Sequence, residues 1–307
     1  MRKVFYTFPL IYFVLLILCI SNMTNVAFAQ EDPAPSDSLE GWKIGGLVSM
    51  NFSQSSFTNW AAGGDNNIGI SLFYKPFANF TKGKINWENN LDLRYGKNKI
   101  GSESWRKSDD LIEANSKLGI NAKKAWFYSA LLNFRSQFDN GYASIEQIEL
   151  ISRFMSPGYL SVVLGMDYKP NDKLSVLLSP FTTRTTFVLD DSLSSTGSYG
   201  VMPGEKSFTQ IGPSVIFTYK DEVYKNVLID SKMNVLYEYA SDPKLVFIWD
   251  FILGLKVNKF LTTTLTTGMI YDQNILFNVF DESGNVVGQE RRVQFKEVLA
   301  IGVTFSY

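Results

Sequence analysis

From Trp42 onward, apolar and polar positions alternate with a period of two. In the stretch 84–96, Ile85, Trp87, Asn89, Leu91, Leu93 and Tyr95 fall on one side, and Asn86, Glu88, Asn90, Asp92 and Arg94 on the other. A helix would scatter both sets around its circumference, whereas a strand separates them onto two faces. Further on, Val227, Ile229, Met233, Val235, Tyr237 and Tyr239 oppose Asp230, Lys232, Asn234 and Glu238. Leu245, Phe247, Trp249, Phe251, Leu253, Leu255 and Val257 then oppose Asp250 and Lys256. The pattern predicts twelve strands, at 42–53, 67–81, 84–96, 110–123, 125–138, 158–169, 173–185, 206–220, 227–240, 244–257, 260–272 and 293–307.

The connections alternate as well. Lys82-Gly83-Lys84, Ala122-Lys123-Lys124, Pro170-Asn171-Asp172, Asp221 to Asn226 and Asn258-Lys259 are short. The segments between them are mostly long (54–66, 97–109, 139–157, 186–205, 273–292), with 241–243 the exception. Short turns at one end and long loops at the other predict an all-β fold, a transmembrane antiparallel up-and-down β-barrel of about twelve strands. Its turns would be periplasmic and its loops outside, and the even strand number returns both chain ends to the periplasmic side. The strands exceed the ~9–11 residues that a tilted membrane strand requires. Helical spanning is excluded, because the longest apolar run after the first 29 residues, Leu245 to Trp249, falls far short of the ~20 residues needed.

A soluble β-sandwich also alternates, but it turns its charged faces outward. Here the apolar face is continuous and almost free of charge, with Glu297 the main exception. The other face carries charges of both signs together with Gly45, Gly69, Gly119, Gly165, Gly212, Gly254, Gly268 and Gly302. Hydrocarbon tolerates such a wall only when the sheet closes and pairs every backbone group. Tyr74, Trp87, Tyr95, Trp126, Phe138, Tyr168, Tyr219, Tyr239 and Tyr271 lie near the ends of the apolar faces, where interfacial girdles belong. The end of the chain, Gly302-Val303-Thr304-Phe305-Ser306-Tyr307, resembles the C-terminal signal read by the barrel-assembly machinery. That partner would engage Phe305 and Tyr307; Ala300 departs from the polar residue usual at its position.

Residues 1–29 read as a cleaved signal peptide: Arg2 and Lys3, an apolar stretch from Val4 to Ile20, then Ala27-Phe28-Ala29 as processing site. Leu18 stands before Cys19 where a lipoprotein signal would have a small residue. Residues 30–40 form an acidic, proline-bearing lead-in expected to be disordered, and 41–307 the barrel domain. Export places the protein in the outer membrane of a Gram-negative cell, with outer-membrane lipid as its surroundings. The chain has 307 residues, no histidine and one cysteine, and that cysteine is in the leader. A Ser-His-Asp triad, a histidine metal site, a mature disulfide and a thiolate zinc site are thereby excluded. The net charge is −1 and no basic stripe appears, so nucleic acid is not an expected partner. No catalytic residue, metal or cofactor is assigned.

Three blocks carry a family resemblance. They are Asn51-Phe52-Ser53-Gln54 with Phe57-Thr58-Asn59-Trp60-Ala61-Ala62-Gly63-Gly64; Trp87-Glu88-Asn89-Asn90-Leu91-Asp92-Leu93; and Asp167-Tyr168-Lys169-Pro170-Asn171-Asp172 with Leu178-Ser179-Pro180. With these the mature chain resembles a family of Bacteroidota outer-membrane barrels catalogued as a domain of unknown function. The resemblance implies a fold and a location and brings no activity.

Parity puts Glu88, Asp92, Arg94, Glu113, Lys117, Arg135, Asp167, Asp230, Lys232, Glu238, Asp250 and Lys256 in the lumen. Their near-balance of sign argues against a strongly ion-selective pore, and Asp230 and Lys232 are expected near Lys256 on the next strand. A paired-carboxylate hydrolase would have to use Glu113 and Asp92, expected near the outer rim, where an ion-pair network is the simpler reading. In the loop after the first strand, Asn59, Trp60, Gly63 and Gly64 are candidates for an inward constriction or a partner contact. Pro180 and Pro213 fall on neighbouring strands of a sheet with no edge to hide them. They predict a bulge or weakened seam, a place where a hydrophobic solute would leave sideways. The functional expectation is passive passage of a small solute, against a non-transporting envelope scaffold that binds through its outer loops.

Overall fold

The computed structural model describes residues 40–56, 65–143, 148–258, 260–281 and 285–306. The leader, the lead-in up to residue 39, Asn59, Trp60, Gly63, Gly64 and Tyr307 lie outside the described residues. The strands are β1 (Gly41–Ser55), β2 (Asn67–Lys82), β3 (Ile85–Ile100), β4 (Arg106–Lys123), β5 (Trp126–Ser136), β6 (Gly141–Tyr142), β7 (Leu150–Ser152) and β8 (Gly158–Asn171). They continue with β9 (Leu174–Phe187), β10 (Ser207–Tyr224), β11 (Val227–Tyr237), β12 (Leu245–Lys256), β13 (Leu261–Asp272), β14 (Phe277–Phe280), β15 (Val286–Glu290) and β16 (Gln294–Ser306). Twelve of them close an antiparallel barrel in the order β1-β16-β13-β12-β11-β10-β9-β8-β5-β4-β3-β2. The pairs β6–β7 and β14–β15 are small separate hairpins, and a short α-helix, α1 (Asp191–Ser195), followed by a 3-10 turn (Ser198–Gly200), lies between β9 and β10.

The strands fall where the two-residue period places them, and the differences are at their ends. At the turn end β10 runs on to Tyr224 through the segment expected as a turn, pairing Asp221 with Ile229 and Glu222 with Leu228. The β3–β4 ladder runs on through Lys97↔Lys107 and Asn98↔Arg106, beyond the expected limits. There both faces are polar, so alternation fades although backbone pairing continues. The hairpins and α1 are too short to leave a periodic signal.

Large apolar side chains cover the exterior: Leu118, Leu132, Leu164, Leu178 and Phe181 are all exposed. Arg94, Glu113, Asp167 and Arg184 are instead buried inside the barrel. This distribution is the reverse of a soluble protein's and suits hydrocarbon outside and a polar interior. Trp42 stacks near Phe80 and Trp87 at the turn end (centroids 5.2 and 5.6 Å), and Trp126 near Tyr168 at 4.9 Å. Tyr95 meets Phe138 edge-on at 6.3 Å toward the loop end.

The two prolines sit at a bulge. Gly212 pairs with Thr182 and Ser214 with Ser179, so Pro180 and Phe181 together oppose Pro213. A methyl built on Gly165 would stand 2.1 Å from Leu178 O, so only glycine lets β8 accept the kink. The seam is stitched on both sides. The Ser179 hydroxyl lies 2.8 Å from both Leu164 O and Phe181 O, sharing its one proton between them, and Thr182 donates to Ser179 at 2.9 Å. From outside, the Tyr239 hydroxyl donates to Pro180 O at 3.0 Å. The missing rung is replaced, and β9–β10 is a reinforced bulge, not a weak seam.

Candidate functional site

Lumen-facing side chains come from alternate positions on every strand, and charge pairing sorts them into three layers. At the turn end, Lys117 (β4) bridges Asp167 (β8) at 2.7 Å and Glu88 (β3) at 3.2 Å. Lys169 also pairs with Glu88, and the Ser175 hydroxyl donates to Asp167 at 2.6 Å.

The middle layer crosses the barrel. Arg135 on β5 pairs with Asp250 on β12 at 2.8 Å. Around the wall these strands are five steps apart, through β8, β9, β10 and β11, nearly a half-turn of twelve. Lys232 on β11 reaches Glu113 on β4, and Lys75 on β2 reaches Asp230 on β11 at 3.5 Å. Lys75 also pairs with Asp92 at 3.1 Å. The Arg94 guanidinium holds Asp92 through two hydrogen bonds of 2.9 and 2.6 Å. Asn133 donates to Glu113 at 2.9 Å and to Asn115 at 2.8 Å, occupying the remaining acceptors. Side chains thus meet across the lumen at mid-height in an ion-pair belt.

Above it, Arg184 (β9) pairs with Asp272 (β13) at 3.0 Å, donates to Gln210 at 2.9 Å and lies 4.3 Å from the Tyr159 ring. Lys296 (β16) pairs with Asp109 (β4) at 2.6 Å. The loops over this layer form a folded cap. Val188, Leu193 and Val201 are buried against Leu150, Tyr199 and Phe208. Asp190 accepts from Leu193 N–H at the start of α1 and pairs with Arg153 at 2.8 Å. These bonds hold its carboxyl below the usual carboxylate range. Asp139 is lowered to about 2, chiefly by the Tyr95 hydroxyl that donates to it at 2.7 Å. A methyl on Gly200 would come within 2.8 Å of the Asn274 side chain, so the β9–β10 loop touches the segment after β13.

Below the belt lies a cavity of about 560 Å³. Its walls include Lys43, Lys75, Glu88, Lys117, Lys169 and Lys220, and residues of the β8–β9 turn, Asp172 and Lys173, line its mouth.

Of the residues chosen by parity, Glu88, Asp92, Arg94, Glu113, Lys117, Arg135, Asp230, Lys232 and Asp250 line this cavity. Asp167 lies buried against Lys117. Lys256 does not meet Asp230 or Lys232: Asp230 faces Ile252 and Lys232 faces Asp250 in register. Lys256 stands at the turn-end rim, half-exposed, 3.9 Å from Glu222. Glu238 falls just past β11, its N–H bonded to Lys244 O. Asp92 and Glu113 face each other across β3–β4, at mid-height and not at the outer rim, and cations neutralise both. Lys75, Lys169, Arg184, Asp272, Asp109 and Lys296 escaped sequence reasoning. Parity alone would have found Lys75, which shares a face with Ser71 and Phe73, whereas Arg184 lies beyond the Pro180 bulge, where the count shifts by one.

Residues 52–142 match the model of a family described as a protein of unknown function, DUF3078. No curated protein matches the chain. Among solved structures, the chain is similar to the translocator domain of the autotransporter NalP from Neisseria meningitidis, at 7% identity, covering 96% of each chain, with a TM-score of 0.36. It is also similar to the COG4313 outer membrane channel from Pseudomonas putida F1, at 9% identity, covering 90% of this chain and 100% of that one, with a TM-score of 0.40. A third is an anion-selective porin from Comamonas acidovorans, at 7% identity over 87% and 99% of the two chains, with a TM-score of 0.31.

Proposed function

We propose that the protein is an outer-membrane channel for a small solute, held shut by the ion-pair belt. The observation that carries this is Arg135–Asp250, a contact between strands almost opposite each other that occupies the lumen at mid-height. Ion pairs suit a gate because they fill space yet separate into hydrated ions at small net cost when water enters. An interior closed for good is filled more stably by apolar side chains of similar volume. The cavity below the belt is the solute's entry from the turn side, which is the periplasm if export and assembly follow the leader and Phe305 with Tyr307 as the sequence suggests.

The test is single-channel recording in planar bilayers. The native protein should open rarely, and Arg135→Ala with Asp250→Ala should raise open time and conductance several-fold. A native protein that conducts steadily through a wide pore would overturn the gate. The folded cap favours a second reading, a non-transporting scaffold that binds through its outer loops. Silence from the double variant, after it is shown to be folded, would select that reading.

A further inference from the structure

The charges around the cavity cancel in groups of two and two. Lys117 and Lys169 hold Glu88 and Asp167, and Lys75 and Arg94 hold Asp92 and Asp230. Arg135 and Lys232 hold Glu113 and Asp250. The longest of the contacts that tie each acid to its nearest cation is Lys75–Asp230, at 3.5 Å. Such groups leave no net charge to attract an ion of either sign.

Two lysines stand outside them. Lys43 on β1 and Lys220 on β10 both line the cavity and are exposed, and neither ammonium has an ion pair or hydrogen bond among the described residues. Their strands are five steps apart around the wall, through β16, β13, β12 and β11, so the two charges face the cavity from nearly opposite sides. Neutral donors accompany them. The Thr218 hydroxyl lines the same space two residues before Lys220. Asn79, the register partner of Lys43, accepts from Asn89 N–H at 3.3 Å through Oδ1, which leaves its NH2 free to donate. Two acids lie close by. Asp230, across from Lys220 in register, is engaged by Lys75, and Asp172 at the mouth is the one lining carboxylate without a cation among the described residues. Lys173 beside it pairs with Asp221 at 2.9 Å.

The turns around the mouth add to the excess. Lys82, Lys84, Lys123, Lys124 and Lys225 are exposed and form no ion pair among the described residues, and the acid next to them is Glu40, which accepts from Gly83 N–H at 3.0 Å. Unpaired charge of one sign around a mouth with low-dielectric walls focuses its field inward and concentrates counter-ions there. The charges selected by parity nearly balance; the excess comes from Lys43 and Lys220, outside that set.

We propose that the turn-end cavity is a binding site for a small solute with two or more negative charges, carboxylate or phosphate, held between Lys43 and Lys220. One charge would satisfy one ammonium and strand the other, whereas two neutralise both. The volume of about 560 Å³ lies within the roughly 300–1,000 Å³ of ordinary small-molecule sites. The inference rests on the channel reading for passage of this solute, and on the cavity alone for its binding.

The experiment uses the full mature barrel in lipid nanodiscs, which has no native cysteine once the leader is removed. Thr218→Cys places a thiol in the cavity, and its rates of modification by an anionic (sulfonatoethyl) and a cationic (trimethylammonioethyl) methanethiosulfonate are compared. The anionic-to-cationic ratio should exceed that of 2-mercaptoethanol, a neutral thiol, several-fold. Adding Lys43→Gln and Lys220→Gln should abolish the excess, and Lys43→Arg with Lys220→Arg should retain it. Millimolar pyrophosphate or citrate should slow the reaction in the lysine protein and not in the double glutamine variant, while spermidine should not. Protection by pyrophosphate alone would assign phosphate, and by citrate alone carboxylate. The thiol reacts in the closed protein, so silence in bilayer recordings and failure here are separate results. A ratio no greater than that of mercaptoethanol, an excess that survives loss of both lysines in folded protein, or protection by neither anion would overturn the site.

Discussion

Gly302 faces Asn51 where the last strand meets the first, and a methyl built there would stand 2.0 Å from Asn51 Oδ1 and 2.4 Å from Met50 O. The nearer atom belongs to a side chain that can turn, but the second is backbone. Gly302→Ala should therefore push the strands apart and cost about 1–3 kcal/mol, typical of overpacking. Urea titration of the barrel in detergent, followed by tryptophan fluorescence, reads this as an earlier midpoint. The belt makes a residue-scale prediction of another kind. The side chains of Arg94 and Asp92 are 5% and 11% exposed, so Asp92→Ala strands a buried guanidinium and leaves Lys75 only Asp230. Removing one partner of a buried pair costs about 3–5 kcal/mol, whereas replacing both by apolar groups is often near neutral. In the same titration Asp92→Ala should be less stable than Asp92→Leu with Arg94→Leu. The reverse order would show that these charges are well hydrated in the lumen.

At the scale of elements, the cap titrates separately from the wall. Asp139 and Asp190 are both held below ordinary carboxylate values in the folded cap. Their stabilisation is thus fully present above about pH 4, the unfolded value, and is lost as pH falls through the folded one. For Asp139 that value is about 2. Pepsin cleavage within 188–206 and 137–157 should rise steeply between these limits while the strands stay resistant. Arg153→Gln should move the onset for 188–206 to higher pH by removing the guanidinium hydrogen bond that does most to hold the Asp190 carboxyl down. Protection unchanged down to the lower limit would mean that apolar packing of Val188 and Val201 holds the cap alone. The cap also marks where sequence reading stops. Alternation assigned each strand residue to a face because the period is a property of the chain itself. Which charges meet across the lumen depends on strand stagger and barrel diameter, so Arg135–Asp250 and Lys232–Glu113 left no trace in either strand alone. Local chemistry likewise gave the proline signal but pointed to Pro180 and Pro213. It took the tertiary structure to show those stitched.

For the whole molecule, closure is the least paired junction. Among the described residues β1 meets β16 from Leu47↔Ser306 to Asn51↔Gly302, although β1 continues to Ser55 and β16 begins at Gln294. Outward residues of β16 show the missing neighbour: Leu299 and Phe295 are 69% and 60% exposed, against 42% for Leu118 in a fully paired wall. Unpaired backbone at membrane depth is costly, so the outer part of this seam is the place from which the barrel should open first. Paired cysteines test the extent of the ladder directly, since a disulfide needs Cβ atoms about 3.5–4.5 Å apart. Ser49→Cys with Thr304→Cys replaces two register partners whose hydroxyls already lie 2.9 Å apart, and should oxidise readily and hold the barrel closed in hot detergent. Ser53→Cys with Ala300→Cys continues the same register beyond the last pair and should remain reduced. If the second pair oxidised as readily as the first, the strands would be zipped to the loop end, and unfolding would have to begin elsewhere.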